Sequence, residues 1–164
     1  MQVFGIVGWK NSGKTTLITR LIPELERRGL TVVTVKHAHC DIEVDDPGTD
    51  SHRHRMAGAR QVVIASPDRW AVIKELRGQP EPNLNDLLAK LDPVDIVLVE
   101  GYKYDPHPKL QVVRPSHNLE PMPDAVNVVA VATDNELRAV VAKEQIALDL
   151  NNVVGIIDTI MASD

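Results

Sequence analysis

Gly8-Trp9-Lys10-Asn11-Ser12-Gly13-Lys14-Thr15 sits between a short apolar run at residues 3–7 and an apolar stripe, Leu17, Ile18, Leu21, Ile22 and Leu25, at helical spacing. That placement leaves few folds open. An apolar run ending in glycine reads as a buried strand, and the stripe reads as one helix face. Between them, Gly8 and Gly13 admit backbone angles that turn successive amides inward around an anion. Lys14 would reach the outer phosphates as a point charge, and the helix would offer its positive end to them. Thr15 supplies a hydroxyl to Mg²⁺, which favours oxygen ligands. The segment is therefore read as a phosphate loop for a nucleoside triphosphate with Mg²⁺. Its candidate nucleotide-binding residues are Gly8, Lys10, Asn11, Ser12, Gly13, Lys14, Thr15 and Thr16, with Lys14 also catalytic. Such a loop names a ligand and leaves the reaction undefined.

The rest of the chain alternates strand and helix signals. A β-branched run at 31–35 follows Gly29, which closes the first helix, and Pro23 inside that helix is expected to kink it or end its regular part. Residues 61–65 and 70–76 read as two short strands joined at Ser66-Pro67-Asp68, a possible antiparallel hairpin extension. Leu84, Leu87, Leu88 and Leu91 mark an amphipathic helix, and 95–101, 110–113 and 126–132 read as further strands. The tail at 153–161 has helical spacing behind Asn151 or Asn152 as cap. With 43% hydrophobic but only 3% aromatic residues, the core must be Val, Ile, Leu and Ala, as in a buried parallel sheet. The expected fold is a single α/β domain over 1–164, a doubly wound, mostly parallel sheet with flanking helices.

Charge and apolar runs narrow the partners. A net charge of −5 gives no cationic surplus for nucleic acid, and so few aromatics give no stacking platforms. No stretch approaches the roughly 18 apolar residues of a membrane span. Lys10 interrupts the opening apolar run before it could serve as a signal peptide, and one cysteine, Cys40, excludes an internal disulfide. The expected location is the cytoplasm.

Parallel strands bring their carboxyl ends to one edge, where ligands bind. Gly8, Lys36 and Glu100 each stand at such an end, so Glu100 is the candidate second acid of the magnesium site, beside Thr15. Residues 37–58 form a long polar stretch with four of the six histidines, His37, His39, His52 and His54. Asp41, Asp45, Asp46 and Asp50 there are candidates for ordering Mg²⁺ or a catalytic water, with Asp50 also a candidate N-cap. The histidines and Cys40 also allow a transition-metal site, although no Cys-x-x-Cys pair is present. Arg53, Arg55 and Arg60 could meet phosphate, an acidic partner or solvent. Asp134, after the strand at 126–132, is a candidate reader of a guanine base, or a cap for the residues that follow it.

Together these residues resemble the molybdopterin-guanine dinucleotide biosynthesis adapter (MobB) family. The likeness is carried by the loop at 8–17, by Lys36-His37-Ala38-His39 followed by acids, and by Asp46-Pro47-Gly48-Thr49-Asp50-Ser51. Arg55-Met56-Ala57-Gly58-Ala59 and Val99-Glu100-Gly101-Tyr102-Lys103 complete it, so it spans nearly the whole chain. The resemblance implies a homodimeric GTP-binding protein with weak hydrolysis. Such a protein assists the molybdenum cofactor guanylyltransferase, with molybdopterin itself as a candidate ligand. It places Asp50 and Glu100 on polar site motifs. Thr49 departs from the lysine expected after Pro-Gly, and Lys10 and Cys40 are smaller departures. A small-molecule kinase and a metal-delivery GTPase remain the alternatives that the loop alone allows.

Overall fold

In the computed structural model, which describes residues 1–38, 42–114, 120–134 and 145–163, the apolar runs of the sequence become strands. The first half holds β1 (Gln2–Val7), α1 (Lys14–Arg27), β2 (Val32–Lys36), α2 (Asp50–Met56), β3 (Gln61–Ala65), β4 (Trp70–Lys74) and α3 (Leu84–Leu88). The second holds β5 (Ile96–Glu100), β6 (Lys109–Val113), β7 (Val128–Thr133), β8 (Ile146–Asp149) and α4 (Val153–Met161). Contacts group the chain into two units, Met1–His37 with Lys90–Asp164, and Ala38–Ala89. Among the described residues no helix is long and apolar enough to cross a membrane.

The first unit is a six-stranded sheet in the order β2-β5-β1-β6-β7-β8, with every ladder parallel. Alternate side chains of its strands, including Phe4, Ile6, Leu98 and Leu110, pack with Leu17, Leu21 and Leu25 of α1 and Ile156, Ile157 and Ile160 of α4. Helix α1 runs through Pro23 to Arg27 and does not end there. The proline costs about 3 kcal/mol inside a helix, whereas Leu21 and Leu25 on either side are fully buried, each contributing about 1.5–3 kcal/mol. Asn152 caps α4, its side chain accepting from Gly155 N at 3.0 Å. Strand β8 is absent from the sequence reading because four half-exposed residues are too short to show a period.

The opposite face of the sheet carries buried polar side chains. Lys109 is fully buried on it and Gln111 is nearly so. The Lys109 ammonium donates to the carbonyls of Asp105, of His107 (2.7 Å) and of Val126 (3.1 Å), and Gln111 Nε2 donates to Met122 O at 3.5 Å. These side chains satisfy the irregular backbone at 105–107 and 122–126, which has no strand to pair with. Burial, with the Lys109 charge adding and Asp105 opposing, pulls the His107 pKa down to about 4.

The second unit pairs β3 and β4 antiparallel, with Ser66 N donating to Arg69 O at the turn (2.8 Å). Arg55 is its hub: the guanidinium meets Asp45 at 2.5 Å, Glu75 at 2.6 Å and Glu43 at 3.2 Å. The arginine holds the Asp45 carboxyl below its usual range. Asp45 and Arg55 are thus committed to each other, a structural role in place of the magnesium and phosphate roles considered for them. Thr49 is the N-cap of α2, and Asp50 is its first helical residue, where the helix dipole favours an acid.

Two stability effects follow. Replacing Lys109 with Met leaves three part-buried carbonyls without that donor and is expected to lower unfolding free energy by about 1–3 kcal/mol, measurable by urea titration. His107 is neutral in the folded chain and regains its ordinary pKa of 6.5 on unfolding. The unfolded state therefore binds more protons between pH 6.5 and 4. The stabilisation is full above pH 6.5 and is lost as pH falls towards 4. His107→Gln should flatten the urea midpoint over that range, and an unchanged pH profile would contradict this account.

Candidate functional site

The loop between β1 and α1 is shaped by three left-handed residues, Gly8 (φ +149°), Asn11 (φ +64°) and Gly13 (φ +97°). Ser12 N closes the turn onto Trp9 O at 3.1 Å. A Cβ on Gly8 would stand 2.5 Å from the Val112 carbonyl oxygen of the neighbouring strand and 2.8 Å from Ser12 Oγ, so only glycine fits. Ser12 itself is fully buried; it builds the loop and does not face its opening.

Above this loop lies a cleft of about 460 Å³, lined by Lys10, Asn11, Gly13, Lys14, Thr15, Thr16, Lys36, Glu100 and Arg114. Among the described residues it thus presents four cations against one acid, the balance that a polyphosphate requires. Lys14 Nζ donates to the Gly8 and Trp9 carbonyls at 2.9 and 2.8 Å. Burial lowers its pKa, opposed by Glu100 and assisted by Lys36. Trp9, exposed at the rim, donates through Nε1 to Glu120 O at 2.7 Å.

Glu100 meets Thr15 because β5 is the direct parallel neighbour of β1 and ends beside the helix start. Thr15 Oγ1 donates to Glu100 Oε2 at 3.2 Å, and Lys36 Nζ lies 3.7 Å from Glu100 Oε1. Two adjacent ligands of an octahedral Mg²⁺ stand roughly 3 Å apart, so the hydroxyl and the carboxylate are spaced to share one. Water and phosphate oxygens usually complete such a shell. Among the described residues no group of three or more His, Cys, Asp or Glu is placed to hold a metal. His37 stacks on Tyr102 (centroids 4.7 Å apart, planes at 26°), joining the ends of β2 and β5, and His52 Nδ1 accepts from Gly48 N at 3.3 Å. His39, Cys40 and Asp41 lie outside the described residues.

The structure thus brings together Lys10, Asn11, Gly13, Lys14, Thr15, Thr16 and Glu100 of the residues expected from sequence. Asp50 belongs to the second unit and is exposed at the start of α2. Asp134, at the end of β7, is ion-paired with Arg114 (Oδ2 to Nε, 3.3 Å). Arg114 was missed by the sequence reading. The signal was available, since Arg114 follows the apolar run at 110–113 as Glu100 ends the one at 96–99, on the same carboxyl edge.

A backbone cradle between the first strand and helix, served by an acid from the adjacent parallel strand, belongs to the P-loop NTPase fold class. Within that class the relationship is specific. Residues 3–134 match the family described as Molybdopterin guanine dinucleotide synthesis protein B. The molybdopterin-guanine dinucleotide biosynthesis adapter protein of Haemophilus influenzae is 40% identical, covering 98% of this chain and 88% of its own length. Its Escherichia coli counterpart is 37% identical, with 98% and 92% covered. A crystal structure of molybdopterin-guanine biosynthesis protein B superposes with a TM-score of 0.74 at 28% identity, covering 98% of both chains. The chain belongs to the MobB family.

Gly8→Ala should block the loop. Because the added methyl meets strand backbone, nucleotide binding is expected to be lost with a lowered melting temperature. Retained affinity for nucleoside triphosphate in equilibrium dialysis would refute the placement.

Proposed function

We propose that this chain is a GTP-binding adapter of molybdopterin-guanine dinucleotide biosynthesis, a slow Mg²⁺-dependent GTPase that acts on the molybdenum cofactor guanylyltransferase in the cytoplasm. The observation that carries the nucleotide part is the cleft, with Lys10, Lys14, Lys36 and Arg114 around the Thr15–Glu100 pair. The adapter part rests on the names of the curated relatives. In this reading the backbone of 8–13 and Lys14 hold the β- and γ-phosphates, and Thr15 and Glu100 hold Mg²⁺, which supplies charge neutralisation on the phosphates. Asp134 reads the guanine edge with its carboxylate.

Slow turnover follows from the lining. Glu100 is its one carboxylate, already held by Thr15 and Lys36, so no unengaged base faces the phosphates among the described residues. Groups from another chain would have to complete the catalytic set. A second copy of this chain is the proposed dimer partner. Val63, Trp70 and Val72 are exposed on one face of the β3–β4 hairpin, an apolar surface of the kind that two-fold pairing covers. A kinase is the weaker reading, since a base for a small-molecule acceptor is not among the lining residues.

Titration with GTP, GDP and ATP, with and without Mg²⁺ and the guanylyltransferase, tests this directly. GTP preference, slow phosphate release and a change in release on adding the transferase are expected. Fast ATP turnover requiring a small-molecule acceptor would make the chain a kinase. Glu100→Ala should lower the Mg²⁺-dependent part of GTP affinity by about tenfold. An unchanged Mg²⁺ dependence would remove Glu100 from the metal site.

A further inference from the structure

Sheet order dictates the order of charges along the carboxyl edge. Reading β2-β5-β1-β6-β7 gives Lys36, Glu100, the phosphate loop, Arg114 and Asp134 in turn. The Thr15–Glu100 pair lies on the β5 side of the loop, and metal ions in such sites bridge the outer two phosphates. A triphosphate whose metal sat at that pair would have its terminal end towards β5, and its sugar and base would extend the other way, towards β7.

Arg114 stands on that second side. Its guanidinium carbon lies 3.6 Å, and Nη1 3.9 Å, from where a Gly13 Cβ would be, against the last loop residue before α1. The same side chain lines the cleft with Thr15 and Thr16. Its Nε is enclosed and faces Asp134 Oδ2 at 3.3 Å, too misaligned for a hydrogen bond. One edge of a rigid planar fork thus faces the β7 carboxylate as an ion pair while the guanidinium lies at the loop.

We propose that Arg114 binds the α-phosphate of the nucleotide and is aimed at it by Asp134. The proposal rests on the reading of this cleft as a nucleotide site and adds to it a phosphate contact separate from those of Lys14. An arginine fork is suited to a phosphate flanked by sugar and β-phosphate, because two parallel N–H donors meet two non-bridging oxygens. Asp134 then has two tasks, holding the arginine and facing the base, which explains why an acid closes β7.

The test is displacement of a fluorescent GDP analogue from the full chain by GTP, GDP, GMP and guanosine, for wild type, Lys14→Ala, Arg114→Ala and Arg114→Lys. Arg114→Ala should weaken GTP, GDP and GMP by a similar factor, about 10- to 100-fold, and leave guanosine unchanged. Lys14→Ala should weaken GTP and GDP and spare GMP. Arg114→Lys, which keeps the charge and loses the fork, should recover part of the loss. It should also reduce the discrimination between the two α-thio diastereomers of GTP, a readout that a merely structural arginine would not move. No loss in Arg114→Ala, a loss confined to GTP, or an equal loss for guanosine overturns the proposal. If wild type binds none of these nucleotides in a Lys14-dependent way, the nucleotide reading itself fails. Normal Lys14-dependent binding with an indifferent Arg114 defeats this inference alone.

Discussion

Strand β1 is hydrogen-bonded on both sides in parallel, to β5 through the register Gln2↔Ile96 to Ile6↔Glu100 and to β6 through Gly5↔Lys109 to Val7↔Gln111. Parallel pairing in register sends three chain ends to the same edge within a strand spacing of one another. The loop after Val7 therefore opens between Glu100 and Arg114, an acid on one flank and a cation on the other. Antiparallel pairing of either neighbour would carry one of these groups to the far end of the sheet. The tight contact of Gly8 with the Val112 carbonyl belongs to the same arrangement, because the loop leaves β1 directly alongside β6.

The cleft's electrostatics follow from that edge. Lys36 and Glu100 are register partners on β2 and β5, so an acid that would repel phosphate has a cation beside it at 3.7 Å. The Thr15 hydroxyl lies on its other side, donating to the carboxylate at 3.2 Å. Burial of Lys14 raises the cost of its charge, and a polyanion would relieve that cost. Sites preorganised in this way hold ligand charge through positions that the fold already fixes.

Polar burial serves structure elsewhere. Lys109 and Gln111 point from β6 into irregular backbone that supplies carbonyls and no ladder, while Arg55 gathers three carboxylates in the second unit. Both cations are engaged by internal partners away from the cleft. The distinction matters for reading function from composition: Arg55 and Lys109 are indistinguishable in sequence from surface cations, and only their partners separate them.

The sequence by itself determined the phosphate loop, the parallel α/β class, the hairpin near 61–76 and the meeting of Thr15 with Glu100. Each is a local signal: glycines at fixed spacing, β-branched runs, and an acid ending a strand. The full MobB motif set is likewise contiguous in the chain and legible without coordinates. Tertiary structure alone decided the pairing of Arg55 with Asp45, the passage of α1 through Pro23 and the burial of Lys109. It alone set Arg114 against Gly13. These depend on which segments become neighbours, and packing fixes that at separations from a few residues, as at Lys109, to about a hundred, as between Arg114 and Gly13. Local propensity cannot tell whether a charged side chain will meet water, a carbonyl or another charge. That is decided by the neighbour the fold puts beside it.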